Sequence, residues 1–410
     1  TAAVTVMTNM FLSCYSLQSV PLFNTAAVTN MTSMFESCES LQSVPLFNTA
    51  AVTNMTSMFQ GCSALQSVPL FNTAAVTNMT SMFSSCTALQ SVPLFNTAAV
   101  TNMTSMFSSC LSLQSVPLFN TAAVLNMAGM FSGCSALQSV PLFNTAAVTT
   151  MTSMFSSCDS LQSVPLFNTA AVTIMSSMFS SCLSLQSVPL FNTASVTNMS
   201  SMFSSCLSLQ SVPLFNTASV TNMSSMFGSS VNSLRFVPEL NLTKISSASN
   251  NSLGLGSATA TSAVSNLAQA KLTGMRWTQS FQNCNMGATQ LNEMYTALAK
   301  LNPNVTNVTA SAGVVTYTVD DIRAFVAART VTITGVNPVA YNLTNATVGT
   351  VTAGAGNTGT FTVTNAATGT YVSGGVAALQ DNRTITVTGN PGTAGDDPTI
   401  AQNKGWTVTG

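Results

Sequence analysis

Nine cysteines, Cys14, Cys38, Cys62, Cys86, Cys110, Cys134, Cys158, Cys182 and Cys206, stand 24 residues apart, and a tenth, Cys284, stands alone. A thiol can serve as a nucleophile, a metal ligand or half of a disulfide. Nucleophilic work needs a base beside it, and metal binding needs co-ligands. The chain has no histidine, and between Thr1 and Leu234 its only charged residues are Glu36, Glu39 and Asp159. Disulfides stay open on spacing, because stacked strands lie ~4.8 Å apart, within the ~4.4–6.8 Å Cα separation that a bridge spans. Each cysteine follows Met-Phe-x-x, however, and is expected to point inward with those residues as a small apolar side chain. The expectation is a buried thiol ladder, with no catalytic residue, metal or cofactor.

The wider composition narrows the function in the same direction. Charged residues make up 5% of the 410, the net charge is -1, and the first basic residue is Arg235. General acid/base catalysis needs a titratable group at the reacting atom, and phosphate binding needs clustered Lys and Arg. The first 234 residues offer little of the former and none of the latter, which argues against an enzyme and against nucleic acid. No run of 18 apolar residues exists, so no membrane insertion is expected in this segment. There is no basic, cleavable leader either. The opening Thr1-Ala2-Ala3-Val4 matches Thr25-Ala26-Ala27-Val28 inside a repeat, so an N-terminal part of the natural protein is expected to precede it.

What positions the cysteines is the repeat itself. LQSVPLFNTA begins at Leu17, Leu41, Leu65, Leu89, Leu113, Leu137, Leu161, Leu185 and Leu209 with no insertion. A fixed period of 20–30 residues predicts a repeat solenoid. Within one coil the expected core is Leu65, Val68, Leu70, Val76, Met79, Met82, Phe83 and Cys86. L-x-x-V-x-L reads as a short strand and M-x-x-M-F as a short helical or 3-10 turn. One coil buries too little to offset its ordering entropy, so coils must stack and the ends need caps. Pro69 lacks a donor and forces the ladder to skip a bond in each coil. Asn24, Asn48, Asn72, Asn96, Asn120, Asn144, Asn168, Asn192 and Asn216 are identical, and an internal ladder of Asn side chains bonded to the turn backbone is expected.

The pattern L-x-S-V-P-x-F-N-T-x-x-V-T-N-M-x-x-M-F-x-x-C resembles the BspA-like leucine-rich repeats of bacterial, protist and phage surface proteins. The resemblance covers residues 1 to about 245. It implies a leucine-rich-repeat-like solenoid and a role in adhesion or surface display, without a shared site.

Several columns are expected on the surface. Gln18, Gln42, Gln66, Gln90, Gln114, Gln138, Gln162, Gln186 and Gln210 start the expected strand face and are the candidate ligand-facing residues. Asn-Met-Thr/Ser sequons fall at Asn30, Asn54, Asn78, Asn102, Asn198 and Asn222. Thr150 and Ile174 occupy the same column, so it reads as exposed and dispensable to the core. Glycosylation there would need a eukaryotic secretory route. The columns of Thr73 and Thr77 read as the polar side of the coil, with a regular ice-binding array as the sharper alternative. Only the pair after each Cys varies much, which fits a repetitive ligand or a spacer better than one irregular partner.

Beyond the array, residues 246–304 read as degenerate coils and a capping helix, with ATQLNEMYTALAKL (288–301) spaced for an amphipathic helix. Residues 305–383 alternate Thr and Val between Gly/Asn turns, as in a small β-sandwich-like module. TITGVNPVAYNLTN, GTFTVT and TGTYVSGG resemble Ig-like β modules of phage structural proteins. Residues 384–410 read as a strand-helix-strand cap, with Asp397 capping the helix, Pro398 starting it and Gly405 ending it. That would make 305–383 an insertion before a last coil. Asp396 and Asp397 are a weak calcium pair, and Asp320, Asp321 and Asp381 are acids without a surrounding motif.

The function expected from these readings is non-enzymatic: adhesion or host-surface recognition by an extracellular, cell-surface or virion protein, such as a phage fibre component or bacterial adhesin. The partner would be a host or cell-surface glycan or protein. The alternative is a spacer or filament subunit whose partners are neighbouring copies of itself.

Overall fold

The computed structural model describes residues 4–228, 233–242, 244–245, 253, 255, 269–273, 279–280, 286, 288–298, 303–323, 325, 327, 329–337, 339–355, 357–365, 371–379, 383–386 and 393–409. Two compact units divide the chain, Thr1–Leu234 and Arg235–Gly410.

The first unit is a repeat solenoid of 24-residue coils. Its coil-to-coil pairing forms no continuous ladder along L-x-x-V-x-L, where the sequence places a strand; there only single bonds such as Gln90 N to Gln66 O cross between coils. Parallel bridges instead join one column, Asn30 to Asn54 to Asn78 and on to Asn222. From there the Met-x-x-Met-Phe segment carries the ladder. Met55, Ser57, Phe59 and Gly61 donate their N–H groups to the carbonyls of Asn78, Thr80, Met82 and Ser84 in the next coil, at 2.7–3.1 Å. The intervening groups close within the coil: Met58 N–H to Met55 O, Gln60 to Ser57, and Cys62 to Phe59. Asn54 Oδ1 takes the remaining N–H, that of Thr56, and its hydroxyl. Every backbone donor of Met55–Cys62 therefore has a partner, as a buried backbone requires. The 3-10 reading caught the turns and missed that alternate groups point to the neighbouring coil.

This alternation needs left-handed backbone at two positions per coil. Ser81 has φ 53° and Ser85 φ 62°, and their equivalents are serine or glycine, such as Gly61 (φ 73°) and Gly133 (φ 77°), except Asn9 (φ 60°) in the first coil. The columns are also sterically tight, since a Cβ on Gly129 would lie 3.0 Å from Ser105 Oγ. A β-branched residue fits neither the backbone nor the space. Ser81→Val is expected to cost about 1–2 kcal/mol or more, and Ser81→Gly to be neutral or mildly stabilising, as read by urea unfolding.

The strand reading fails at Pro69. Without a donor there, the chain makes a tight reversal in which Phe71 N–H bonds Pro69 O at 2.9 Å, repeated at Phe95, Phe119 and each later copy. The reversal shifts the alternation by one residue. Leu70, expected in the core, is 59% exposed, whereas Phe71, absent from the expected core, is buried. The core then comprises Leu65, Val68, Phe71, Val76, Met79, Met82, Phe83 and Cys86 with their equivalents from Val28 onward. Two phenylalanine ladders run through it. Phe83 stacks on Phe107 at 5.7 Å and 5°, and Phe95 on Phe119 at 6.5 Å and 9°. Phe83 and Phe95 meet at 6.2 Å.

In the second unit, β1 (Phe236–Asn241) pairs parallel with β2 (Gln269–Thr273), Phe236 opposite Gln269. The compact unit that holds the coils ends at Leu234, just before β1. β3 (Gln279–Ser280) precedes α1 (Ala288–Ala297), which buries Leu291, Met294 and Tyr295. β4 (Val305–Ser311), β5 (Val314–Val319), β6 (Thr330–Thr334), β7 (Leu343–Thr347), β8 (Val351–Ala353), β9 (Gly359–Thr364) and β10 (Val376–Leu379) follow. They form two antiparallel sheets, ordered β4-β5-β9-β8 and β10-β6-β7. Tyr317, Phe325 and Phe361 stack in the first of these regions, and Tyr317 Oη donates to Tyr341 O at 2.7 Å. β11 (Thr384–Thr386) pairs parallel with β3 and with β12 (Thr407–Thr409), Thr384 opposite Thr407. A parallel strand pattern thus resumes after the antiparallel sheets. α2 (Thr399–Gln402) has Pro398 at its N-cap and Asn403 at its C-cap, not Asp397 and Gly405; Asp397 Oδ1 accepts from Thr399 N ahead of it, and Gly405 follows the C-cap at φ 85°.

Candidate functional site

Inside the solenoid, Cys38 to Cys206 form a continuous buried column of reduced thiols, and Cys14 in the first coil is exposed. Each buried thiol donates to the carbonyl of the Phe 27 residues before it, as Cys86 Sγ does to Phe59 O at 3.0 Å. Burial pushes the thiols up from the ordinary 9.0: Cys38 to about 11, Cys134 and Cys206 to about 12, and Cys86, Cys110 and Cys158 well above it. Neighbouring thiols raise several of them further, and the backbone hydrogen bonds lower them by less. Thiolate is the reactive form, so these groups are inert. Thiol-specific labelling at pH 8 followed by peptide mapping is expected to modify Cys14 in the native chain and Cys38 to Cys206 only after unfolding. Cys284 lies outside the described residues.

The Asn column of Asn24 to Asn216 is not internal. These residues are exposed, and each side chain closes its own turn, as Asn72 Oδ1 does by accepting from Ala74 N at 3.2 Å. The interior polar ladder is the next residue. Thr73 is fully buried and donates from Oγ1 to Asn96 O in the following coil at 2.8 Å, and Thr25 to Thr217 are buried alike. The threonine reading therefore holds only for Thr77, which is exposed and bonds back to Thr53 O. The sequon column is half-buried, with Asn78 Oδ1 bonded to Thr80 N and Oγ1.

The Gln column, Gln18 to Gln210, is exposed together with the Ser after it. In four coils its backbone also joins neighbours, as Gln90 N does to Gln66 O. The surface column that the pattern missed is leucine. Leu22 to Leu214, one per coil, are 58–67% exposed. The signal was the invariant Pro one residue earlier.

Overlapping stretches, 1–94, 63–166, 86–189, 125–239 and 161–266, match a family described as "Mycoplasma protein of unknown function, DUF285". Together they run through residues 1–266, more than half of the 410. The chain belongs to the DUF285 family. Its repeats are of the type to which the BspA-like resemblance pointed. Among solved structures, the DUF285 chain is similar to a leucine-rich repeat protein from Eubacterium ventriosum ATCC 27560, at 18% identity and TM-score 0.35, covering 52% of this chain and 59% of that one. It is also similar to the plant peptide hormone receptor RGFR1, solved in complex with RGF2, at 12% identity and TM-score 0.27, covering 67% and 46%. The DUF285 chain thus spans less than two thirds of either structure's length. Comparison with curated proteins gave no match.

Four acids outside the array, Asp320, Asp321, Asp396 and Asp397, serve structural contacts. Asp321 is buried and holds Arg323 through both oxygens, at 2.9 and 2.7 Å, and Arg323 reaches Ala297 O and Leu298 O at the end of α1. Asp320 accepts from Asn304 N and Nδ2 at 2.9 Å. Asp396 accepts from Tyr295 Oη at 2.7 Å, and Asp397 is engaged with Thr399. Asp381 lies outside the described residues. Among those residues no group of three or more His, Cys, Asp or Glu could hold a metal ion, and no helix is long and apolar enough to cross a membrane.

Proposed function

We propose that this DUF285 chain is a non-enzymatic adhesion or display protein of a cell or virion surface, whose coils present one repeated, uncharged face to a host or cell-surface glycan or protein. The observation that carries the reading is the exposed stretch Gln66-Ser67, Leu70 and Asn72, repeated in nine copies with no charge in any of them. A surface that repeats its chemistry so closely suits a ligand that repeats as well, and weak contacts at many coils sum to avidity. The engagement of Asp320, Asp321, Asp396 and Asp397 in structural bonds supports a role without acid/base chemistry. In this reading the antiparallel sheets between β3 and β11 are an inserted Ig-like module and β11, α2 and β12 a terminal cap, as in a phage fibre component or bacterial adhesin.

The test is a coil deletion that keeps register. Removing 89–160, three repeats, should lower attachment to target cells by well over the lost third of contacts, because avidity falls multiplicatively. Unchanged attachment by a shortened chain would instead make the array a spacer and move recognition elsewhere.

A further inference from the structure

We infer that the leucine column is a self-association face, on which a second copy of this chain packs leucine against leucine. The column runs from Leu22 to Leu214, one residue in each of nine coils, all 58–67% exposed. Beside each from Leu46 on stands a half-buried proline, and Gln66, Ser67 and Asn72 with their equivalents lie exposed around it. Successive coils are hydrogen-bonded backbone to backbone, so neighbouring leucines repeat at about the ~4.8 Å of paired strands and form one stripe. An apolar centre with an uncharged polar rim is the layout of a protein interface.

Three arguments name a second copy as the occupant. The first is area. At ~25 cal/mol/Å² and ~1.5–3 kcal/mol for a whole leucine, each of these offers on the order of 55 Å², and nine offer roughly 500 Å². That is about the apolar share of the ~800 Å² per partner that a stable interface buries. The second is charge. No copy of LQSVPLFNTA carries one, so two such faces meet without repulsion, and nothing on the stripe selects a charged partner. The third is pitch. Only a partner with an apolar side chain at every coil spacing can cover every leucine, and this chain supplies that repeat through a two-fold axis across the stripe. An irregular globular partner would cover a few and leave the rest wet.

The inference claims the same face that the adhesion reading presents to a ligand, so the two are alternatives for Leu70 and its rim; a paired array would display its other columns, such as the exposed Thr77 column, or assemble as a spacer. Sedimentation velocity of the full chain from 1 to 100 µM tests it. The wild-type chain should be a dimer at tens of micromolar, with the same association at 0.05 and 0.5 M NaCl, because no ion pair takes part. Replacing Leu70, Leu94, Leu118, Leu142 and Leu166 with Ser should weaken association at least a hundredfold, with the circular dichroism spectrum unchanged because these side chains are outside the core. Replacing Gln66, Gln90, Gln114, Gln138 and Gln162 with Glu instead tests the rim and should weaken association in low salt with recovery in high salt. A wild-type chain monomeric at 100 µM, or a dimer indifferent to the leucine substitutions, would overturn the inference. So would a monomer that floats with phosphatidylcholine vesicles, which would put a lipid surface on the stripe.

Discussion

Raising the pH from 8 to 11 is expected to unfold the solenoid, with far steeper loss of stability than an ordinary globular domain shows. The cause is the thiol column. The buried thiols keep their protons well above the ordinary 9.0, to about 11 at Cys38 and about 12 at Cys134, with Cys86 also raised well above 9.0, because burial penalises the thiolate. In the unfolded chain the same groups ionise near 9. Their folded values are raised, so the stability they contribute is complete below 9 and is lost as pH rises through the folded values. Between those limits the unfolded state binds fewer protons, and each deep thiol from Cys62 to Cys206 subtracts about 1.4 kcal/mol per pH unit. With one buried thiol per coil from Cys38 to Cys206, most of the array is exposed to this loss. Far-UV circular dichroism against pH should show a sharp transition, and Cys→Ala variants in several coils should move it upward. A gradual change centred above pH 12 in the wild-type chain would remove the buried thiols from the account.

The second large effect is expected at a single side chain in the middle of the array. Phe131 is fully buried, stacks on Phe107 and Phe155 at 5.7 Å each, and touches Phe143 at 6.3 Å. Phe131→Ala removes the ring from both neighbours and leaves a cavity, at about 3–5 kcal/mol. Coils in a solenoid meet only their neighbours, so the damage should stay local and split the array into two cooperative segments. Hydrogen exchange should show lost protection centred on residues 107–155 with the outer coils spared. Leu142→Ala, eleven positions on and 59% exposed, should change stability by less than ~0.5 kcal/mol. Uniform loss of protection along the array, or equal effects of the two substitutions, would contradict the assignment of core and surface.

The contrast between Leu142 and Phe143 also shows how far the pattern could be read. Repeat period, coil stacking and inward cysteines follow from spacing alone, because any residue recurring every 24 positions must stack on its own copies. Leucine and phenylalanine at adjacent positions are both apolar, and period-two alternation from Val68 selects Leu70. The proline reversal that turns Phe71 inward instead is a hydrogen bond between residues two apart, which hydropathy does not encode. Thr73 was misread for a related reason. A hydroxyl reads as surface until its acceptor, Asn96 O in the next coil, is known. Asn72 was the mirror case, where invariance came from a local turn bond and not from burial. Ser81 and Ser85 gave no sign of left-handed backbone except that glycine replaces their equivalents at Gly61, Gly129 and Gly133.

At the level of the site, the sequence carried the chemistry better than the geometry. The scarcity of charge was plain from composition, and the exposed Gln column lies where the repeat put it. The leucine column beside it required the fold.

The most direct measurement is cryo-electron tomography of the source cell or particle with the chain labelled at its C-terminus. The account predicts the label on the outer surface, with the array projecting and its repeated columns accessible to antibody. A label confined to the interior, inaccessible until lysis, would contradict the proposed role in surface adhesion or display.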